Sequence, residues 1–244
     1  MTKRYLHILK YNTLALLFCL AGFTACDTSV KTDNALVGEA ITTKTKIKAP
    51  TVFLIDTAKS QLTWIGAKMT GRHNGYFKIK EGELHLNESQ QASGNILIDM
   101  TTMQADDKTI DKASNLKLTK HLKSEDFFDC EKYKTAAFEL TALAPYDSSQ
   151  VKPTQPRTTP DDALRVKNPT HFVTGNLTIK DITKSVTFPA RITLEDNQLK
   201  AKANFNIDRT KWGLIYRSDK SLGDQTIRPK VNIGFDIVAT AQHN

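Results

Sequence analysis

The chain has 244 residues, of which 25% are charged, and a formal net charge of +8. No block of five like charges occurs and the basic residues are scattered, so the charge indicates a solvated surface and argues against a nucleic-acid groove. The chain has three cysteines. Two of them lie in or next to the predicted signal peptide described below, so no intrachain disulfide framework is expected.

Residues 1–25 are predicted to be a lipoprotein signal peptide. Positively charged Lys3, Arg4 and Lys10 precede an apolar run, 14–23, which is far shorter than the roughly 20 residues that span a bilayer. The run leads into Phe-Thr-Ala-Cys26, which resembles a bacterial lipobox with Phe in place of the usual Leu. Cleavage there would leave a lipid-bearing Cys26 that anchors the chain to a membrane of the cell envelope, facing the periplasm or the exterior. Ordinary secretion and an uncleaved anchor helix are the alternatives.

Removal of this segment changes the charge and the cysteine inventory. It contains three of the 34 Lys and Arg residues and none of the 26 Asp and Glu residues, so the remaining chain has a charge of +5. Cys19 is lost and Cys26 carries lipid, which leaves Cys130 without a partner. Asp129 and Glu131 flank Cys130, and negative charge disfavours the reactive thiolate. We therefore interpret Cys130 as a small core residue, with a nucleophile as the alternative.

Residues 26–50 are predicted to be a flexible tether for a domain at 51–244. Asp27 to Pro50 contain no aromatic residue and are dominated by Thr and Lys, so they cannot bury enough apolar surface to offset their ordering entropy. A flexible chain of this length has an end-to-end distance of roughly 25–30 Å. It would hold the domain just off a membrane.

From Val52 onward, apolar residues alternate with polar ones in many short runs, which is typical of half-buried strands. The clearest run places Val231, Ile233 and Phe235 on one face and Asn232 and Gly234 on the other. The pattern predicts an all-β, antiparallel barrel or sandwich and argues against βαβ folds.

Two segments depart from the alternation. Residues 111–128 carry leucines at helical spacing, and Ser124 followed by Glu125 and Asp126 is predicted to be a helix N-cap. Residues 145–170 contain five of the eight prolines and are predicted to form a long, mobile surface loop.

No group of residues predicts catalysis. The sequence has no GxSxG, HExxH, CxxC or GxGxxG motif, and the histidines after the signal peptide are not paired at ligand spacing. We therefore predict no catalytic residues, no metal site and no cofactor beyond a possible bound lipid, and classify the protein as a non-enzyme.

Three motifs resemble the YceI family. The first is His-Leu-Lys-Ser-x-x-Phe-Phe-Asp at 121–129, followed by Tyr133 and Phe138. The second is Val-x-Gly-x-Leu-Thr-Ile from Val173, continuing to Val186, and the third is Asn-x-Asp-Arg-x-x-Trp-Gly at 206–213. Asp181 replaces a turn glycine of the family, which is tolerable because Asp adopts positive φ more readily than most residues.

The resemblance implies a lipocalin-like antiparallel β-barrel of about eight strands, with one or two short helices near the mouth. It also implies binding of a polyisoprenoid or similar amphiphilic lipid, for example an isoprenoid quinone, and it is compatible with a homodimer. A barrel of this size holds either its own side chains or one small ligand. The alternative is therefore a structural or stress-protective envelope lipoprotein with a self-filled barrel, and a lipid-acting enzyme lacks any supporting residues.

Candidate lipid-binding residues are the apolar members of the alternating faces together with the phenylalanine pair, which we place over the mouth of the barrel. A solid core completed by the phenylalanine pair is the alternative. We expect Arg209 to form a surface salt bridge, and orientation of a polar headgroup is the second interpretation. The predicted lipid-binding residues are Phe77, Ile79, Ile96, Ile98, Met100, Phe127, Phe128, Phe138, Leu140, Leu177, Ile179, Phe205, Ile207, Trp212, Val231, Ile233 and Phe235.

Overall fold

The computed structural model describes residues 27–42, 47, 51–87, 89, 91–150 and 159–242. The predicted signal peptide and the predicted lipidation site, Cys26, lie outside the described residues, as do parts of the predicted tether and of the Pro-rich loop. Within the described ranges, no helix is long and apolar enough to cross a membrane.

Strands dominate the described chain, and one α-helix accompanies them. The strands are β1 Leu36–Glu39, β2 Thr51–Ile55, β3 Gln61–Lys68, β4 Gly71–Leu86, β5 Ala92–Ala105, β6 Thr135–Pro145, β7 His171–Ile179, β8 Ile182–Glu195, β9 Gln198–Asp208 and β10 Ile227–Ala241. The helix α1 spans Lys112–Lys123, and short 3-10 helices lie at Ser148–Gln150, Pro160–Leu164, Arg209–Trp212 and Lys220–Gln225.

The strands close into the predicted barrel. Each strand from β3 to β10 pairs antiparallel with the next, and β10 returns to pair with β3. The result is a closed antiparallel barrel of eight strands. Strand β2 extends the position of β3, because both pair with β4 and β10. Closure leaves the wall without the unpaired edges that a flat sheet would expose.

The two ends of the barrel differ. The β3–β4 turn, α1, the β7–β8 turn and the segment 209–226 lie at one end, which we call the open end. The β4–β5 turn, the β8–β9 turn and the last residues of β10 lie at the other, which we call the closed end. At the β7–β8 turn Lys180 and Asp181 have φ of 49° and 62°, so Asp181 adopts the left-handed conformation expected where it replaces a glycine.

The prediction of a flexible tether is wrong for residues 27–42, which we call the N-terminal segment. Strands β8 and β9 pair with each other only from Ala190 to Glu195 on the β8 side, and they separate toward the open end. There the N-terminal segment lies between them. Its strand β1 pairs antiparallel with β8, and Asn34 forms a parallel bridge with Asn206 of β9. The segment therefore completes the barrel wall over a seam.

Buried amides attach the N-terminal segment to the wall. The Asn206 side chain donates to the Val30 carbonyl at 2.9 Å, and the Asn232 side chain donates to the Thr32 hydroxyl oxygen at 2.9 Å. Thr32 and Asn232 are only 1% and 2% exposed. Because Asn232 points away from the barrel interior, its burial is due to the segment that covers it. Hydrogen bonds of this kind each contribute about 0.5–1.5 kcal/mol.

Helix α1 differs from the prediction at its boundaries. Its N-cap is Asp111, whose side chain accepts from the Ser114 amide, and Ser124 is the C-cap. The prediction that Ser124 starts a helix is therefore wrong. The polar residues after it form a turn, and the Phe127 amide donates to the Ser124 carbonyl at 3.1 Å. The leucine pattern located the helix correctly. Its first residue was misplaced because Asp111, like Ser124, is a residue type that is common at helix N-caps.

Residues 159–166 of the Pro-rich loop form defined contacts, which differs from the prediction of a mobile loop. Its 3-10 helix Pro160–Leu164 docks on the N-terminal segment. Arg165 donates to the Asp33 carboxylate at 2.6 Å and to the Lys31 carbonyl at 2.8 Å. Two segments without strand periodicity thus stabilise one another on the outside of the barrel.

Candidate functional site

The barrel encloses a cavity of about 540 Å³. Pockets that hold small molecules have volumes of roughly 300–1,000 Å³, so this cavity is large enough for a ligand. Its wall is mainly apolar, and aliphatic and aromatic side chains from all eight barrel strands, β3 to β10, contribute to it. The barrel is therefore hollow and is not filled solid by its own side chains.

Fifteen of the seventeen predicted residues line this cavity. Their contact with a lipid remains a prediction, but the alternating faces do point to one shared space. The lining residues from the predicted set are Phe77, Ile79, Ile96, Ile98, Met100, Phe127, Phe128, Phe138, Leu177, Ile179, Phe205, Ile207, Val231, Ile233 and Phe235.

Leu140 and Trp212 do not belong to the cavity wall. Leu140 is 7% exposed and packs in a core cluster with Ala92 and Val173. The register between β6 and β7 shifts just after Leu140, which ends the regular alternation from Phe138. Trp212 is fully buried and donates its indole N–H to the Leu177 carbonyl at 2.9 Å. It is a core residue and does not line the cavity.

The closed end is sealed by apolar packing. Phe53 and Ile55 of β2, Leu199 of β9 and Ala239 of β10 are each less than 9% exposed and belong to one cluster. On β10 the cavity lining extends to Ile237 but not to Ala239. A ligand would therefore enter from the opposite end.

Polar groups line the cavity at the open end. His121 of α1, Arg217, Asp224 and Gln225 contribute there, beside Tyr216. Tyr216 and Leu214 were missed from the sequence, because they lie in an irregular segment with no alternating pattern. Val186 and Phe188 were also missed as lining residues, although their alternation on β8 could have identified them.

An aromatic cluster forms part of the mouth. The His121 ring contacts Phe127 edge-on at 5.1 Å and Tyr216 at 5.0 Å between ring centroids. Phe128 packs edge-on against Phe77 at 6.2 Å. The Lys180 ammonium donates to the Phe127 carbonyl at 2.8 Å, which ties this turn to the β7–β8 turn. The phenylalanine pair thus lines the cavity from the turn that follows α1.

The carboxylates and the thiol around the phenylalanine pair differ in their exposure to solvent. Glu125 and Asp126 are exposed to solvent while Phe127 is 5% exposed. Burial raises the pKa of the Cys130 thiol to about 11, so this cysteine is a thiol and not a thiolate at neutral pH. The structure agrees with the interpretation of Cys130 as a core residue.

Arg209 is a buried cation beside the cavity. It is 4% exposed and lines the cavity, and its guanidinium donates to the carbonyls of Leu214, Tyr216, Ile227 and Arg228. Within the described residues no carboxylate lies within ion-pair distance of it, so the expected surface salt bridge is wrong. Burial lowers its pKa, but an arginine remains charged in a protein. Four of its five N–H donors are used.

A histidine–carboxylate pair lies near the start of β4. His73, which lines the cavity, places its Nδ1 2.7 Å from the Asp107 carboxylate. Burial alone raises the pKa of Asp107, but hydrogen bonds from Thr109 and His73 outweigh burial and lower it. No group of three or more His, Cys, Asp or Glu side chains in the described parts of the chain could hold a metal ion.

These features define a hollow antiparallel β-barrel whose apolar bore opens at one end. Residues 53–239 match the model of the YceI-like domain, so the chain belongs to the YceI-like domain family. No curated protein matches the sequence.

Solved structures share the fold. BcnA from Burkholderia cenocepacia is 21% identical with a TM-score of 0.56, and the match covers 76% of this chain and 99% of that one. A polyisoprenoid binding domain from Saccharophagus degradans, implicated in plant cell wall breakdown, is 12% identical with a TM-score of 0.52, and the match covers 78% of this chain and 98% of that one. At these identities the likeness establishes the fold of this chain.

Proposed function

We propose that this protein binds an amphiphilic lipid with an isoprenoid chain, such as an isoprenoid quinone, inside its barrel in the bacterial cell envelope. The observation that carries the proposal is the apolar cavity of about 540 Å³, sealed at one end and bordered by polar groups at the other. The Saccharophagus degradans neighbour, described as a polyisoprenoid binding domain, supports this ligand class.

The cavity suits a hydrocarbon chain because its wall supplies burial without directional contacts. Each Å² of apolar surface removed from water contributes about 25 cal/mol. A slim, branched chain would lie along the bore against side chains such as Phe205 and Ile233. Binding of this kind needs no catalytic group.

The headgroup would lie at the open end, near Arg209. A buried guanidinium with one N–H donor still unused favours an oxygen acceptor, since an unsatisfied buried donor is costly. The carbonyl of a quinone or a phosphate oxygen both meet this requirement. Arg209 would then orient the ligand with its chain toward the closed end.

Native mass spectrometry of the protein purified without detergent tests the proposal. We expect a mass adduct that organic extraction removes and that the extracted lipid restores. Ile233→Trp, which fills the bore, should reduce the adduct at least fivefold, while Leu194→Trp on the exposed outer surface should leave it unchanged. A folded protein that never carries or takes up an isoprenoid lipid would support the structural lipoprotein instead.

We also propose that Cys26 carries a lipid anchor after removal of residues 1–25, which places the barrel at a membrane of the envelope. The apolar run and the small residues before Cys26 support this. Metabolic labelling with a palmitate analogue should label the protein and should fail with Cys26→Ala. Labelling that persists in that variant would refute the site.

A further inference from the structure

Large exposed apolar side chains gather at the open end. Four of the nine among the described residues lie there: Leu116 on α1, Ile182 at the β7–β8 turn, and Ile215 and Leu222 on the segment 213–226. Leu116 and Ile215 are 60% and 65% exposed. A single exposed leucine needs no explanation, but a group at the mouth of an apolar cavity does.

Contacts within the open end join the elements that carry these side chains. Tyr216, next to Ile215, packs on His121 of α1 at 5.0 Å between ring centroids. A Cβ placed on Gly213 would lie 3.3 Å from the Ile182 side chain. The helix, the β7–β8 turn and the segment 213–226 therefore meet around the cavity mouth.

Helix α1 presents its basic face outward from this surface. It carries four lysines and no carboxylate. Leu116 lies on the same face as Lys112 and Lys120, one turn before and after it, and all three are exposed. The opposite face places Leu118 and Leu122 in the cavity wall.

The segment 213–226 also carries exposed apolar and basic side chains, although Asp219 and Asp224 balance its charge. Exposed Arg217 and Lys220 accompany Ile215 and Leu222 on it. Apolar side chains among Lys and Arg are typical of protein surfaces that lie in the headgroup region of a bilayer, and anionic headgroups attract each added basic residue.

The N-terminal segment begins at this same end. The Thr28 hydroxyl donates to the Lys68 carbonyl at 2.6 Å, at the end of β3. Arg72 donates to the carbonyls of Thr28 and Ser29 at 2.6 and 3.0 Å. Asp27, the first described residue, directly follows Cys26 in the sequence. A lipid on Cys26 would therefore start at the open end rather than at the far end of a long tether.

We propose that the open end of the barrel docks directly on a bilayer containing anionic lipids. Leu116, Ile215 and Leu222 enter the headgroup region, and Lys112, Lys120, Arg217 and Lys220 contact anionic headgroups. The cavity mouth then faces the membrane, so that a ligand passes between bilayer and bore without crossing water. The passage of ligand rests on the proposed lipid binding, whereas the docking itself does not.

Tryptophan probes in the full chain, bound to vesicles of phosphatidylethanolamine and phosphatidylglycerol with brominated acyl chains, test the orientation. Native Trp64 and Trp212 are 7% and 0% exposed, so their contribution to quenching is small. We expect strong quenching with Ile215→Trp or Leu222→Trp and weak quenching with Leu194→Trp. Leu194 is 55% exposed near the closed end and is the matched control.

A second measurement tests affinity. Lys112→Glu/Lys120→Glu in the Cys26→Ala chain should weaken binding to these vesicles by about tenfold or more, while Lys200→Glu/Lys202→Glu on strand β9 should change it less than twofold. Equal quenching at residues 194 and 215, or no quenching at the open end, would contradict the proposal that the open end docks on the bilayer. Equal affinity of the two charge variants would also contradict it. Native mass spectrometry separately reports whether the barrel contains lipid, so the failure of either proposal can be recognised.

Discussion

The Arg72 guanidinium forms a two-point ion pair with the Asp161 carboxylate, at 2.6 and 2.8 Å. It joins the first residues of β4 to the Pro-rich loop, 89 positions away in the sequence. The same carboxylate accepts from the Lys31 amide at 2.7 Å. Because Arg72 also binds the carbonyls of Thr28 and Ser29, this pair connects the loop, the N-terminal segment and the barrel.

Loss of this ion pair should release the N-terminal segment. Asp161→Asn leaves the partly buried Arg72 without its counter-charge, and we expect a loss of about 1.5–3 kcal/mol in the free energy of unfolding. Hydrogen exchange of the amides at 28–39 should become faster in the native state. Asp236→Asn, which removes the exposed pair with Lys202, is the control and should cost less than about 1 kcal/mol. Unchanged exchange at 28–39 would contradict the role of Asp161.

The Asp161 carboxylate should make the free energy of unfolding depend on pH. The hydrogen bond from Arg72, which outweighs the effect of burial, lowers the pKa of Asp161 below its ordinary value of 3.8. A lowered folded-state pKa gives stability that is fully present above the unfolded-state value and is lost as the pH falls through the folded-state value. Denaturant unfolding between pH 6 and pH 2 should therefore show a shallower acid loss in Asp161→Asn than in the unaltered protein. Parallel curves would contradict this linkage.

The barrel and most of the cavity wall could be predicted because their signal is local. Alternation along one strand, such as Val231, Ile233 and Phe235, identifies an inner face without knowledge of the partner strands. The closed end was less predictable. The side chains of Phe53 and Ile55 alternate as well as those of the cavity wall, yet they pack against Leu199 and fill the barrel there.

The N-terminal segment could not be predicted, because its stability comes from distant partners. Val30 and Thr32 are held by Asn206 and Asn232, which lie 176 and 200 positions further along the chain. The segment lacks periodicity, since it is held by backbone pairing with β8 and by side-chain hydrogen bonds from distant residues. Arg209 was misjudged for a similar reason, as its partners are carbonyl groups, which no side-chain pattern reveals.

The Cys130 thiol should be slow to react in the folded protein. Its side chain is buried, and burial raises the pKa of the thiol to about 11, so little thiolate exists at neutral pH. Iodoacetamide treatment at pH 8, followed by peptide mass spectrometry, should leave Cys130 largely unmodified in the native protein. The same treatment in guanidinium chloride is the control and should modify it fully. Rapid native alkylation would show that the thiol is accessible.

Trp212 should affect stability without affecting the ligand. Its side chain is fully buried outside the cavity wall, and its N–H is paired with the Leu177 carbonyl. Trp212→Phe keeps most of the volume but leaves that carbonyl without its donor, and should cost about 1–3 kcal/mol. Trp212→Ala also opens a void and should cost about 3–5 kcal/mol.

Phe205→Ala provides the matched comparison. Phe205 is also buried, but it lines the cavity and stacks on Phe188 at 4.0 Å between ring centroids. Chemical denaturation should show that it, too, is less stable than the unaltered protein. Under native conditions, however, the affinity for an isoprenoid probe should change in Phe205→Ala and stay within twofold in Trp212→Phe. A large loss of probe affinity in Trp212→Phe, with the fold intact, would return this tryptophan to the binding site.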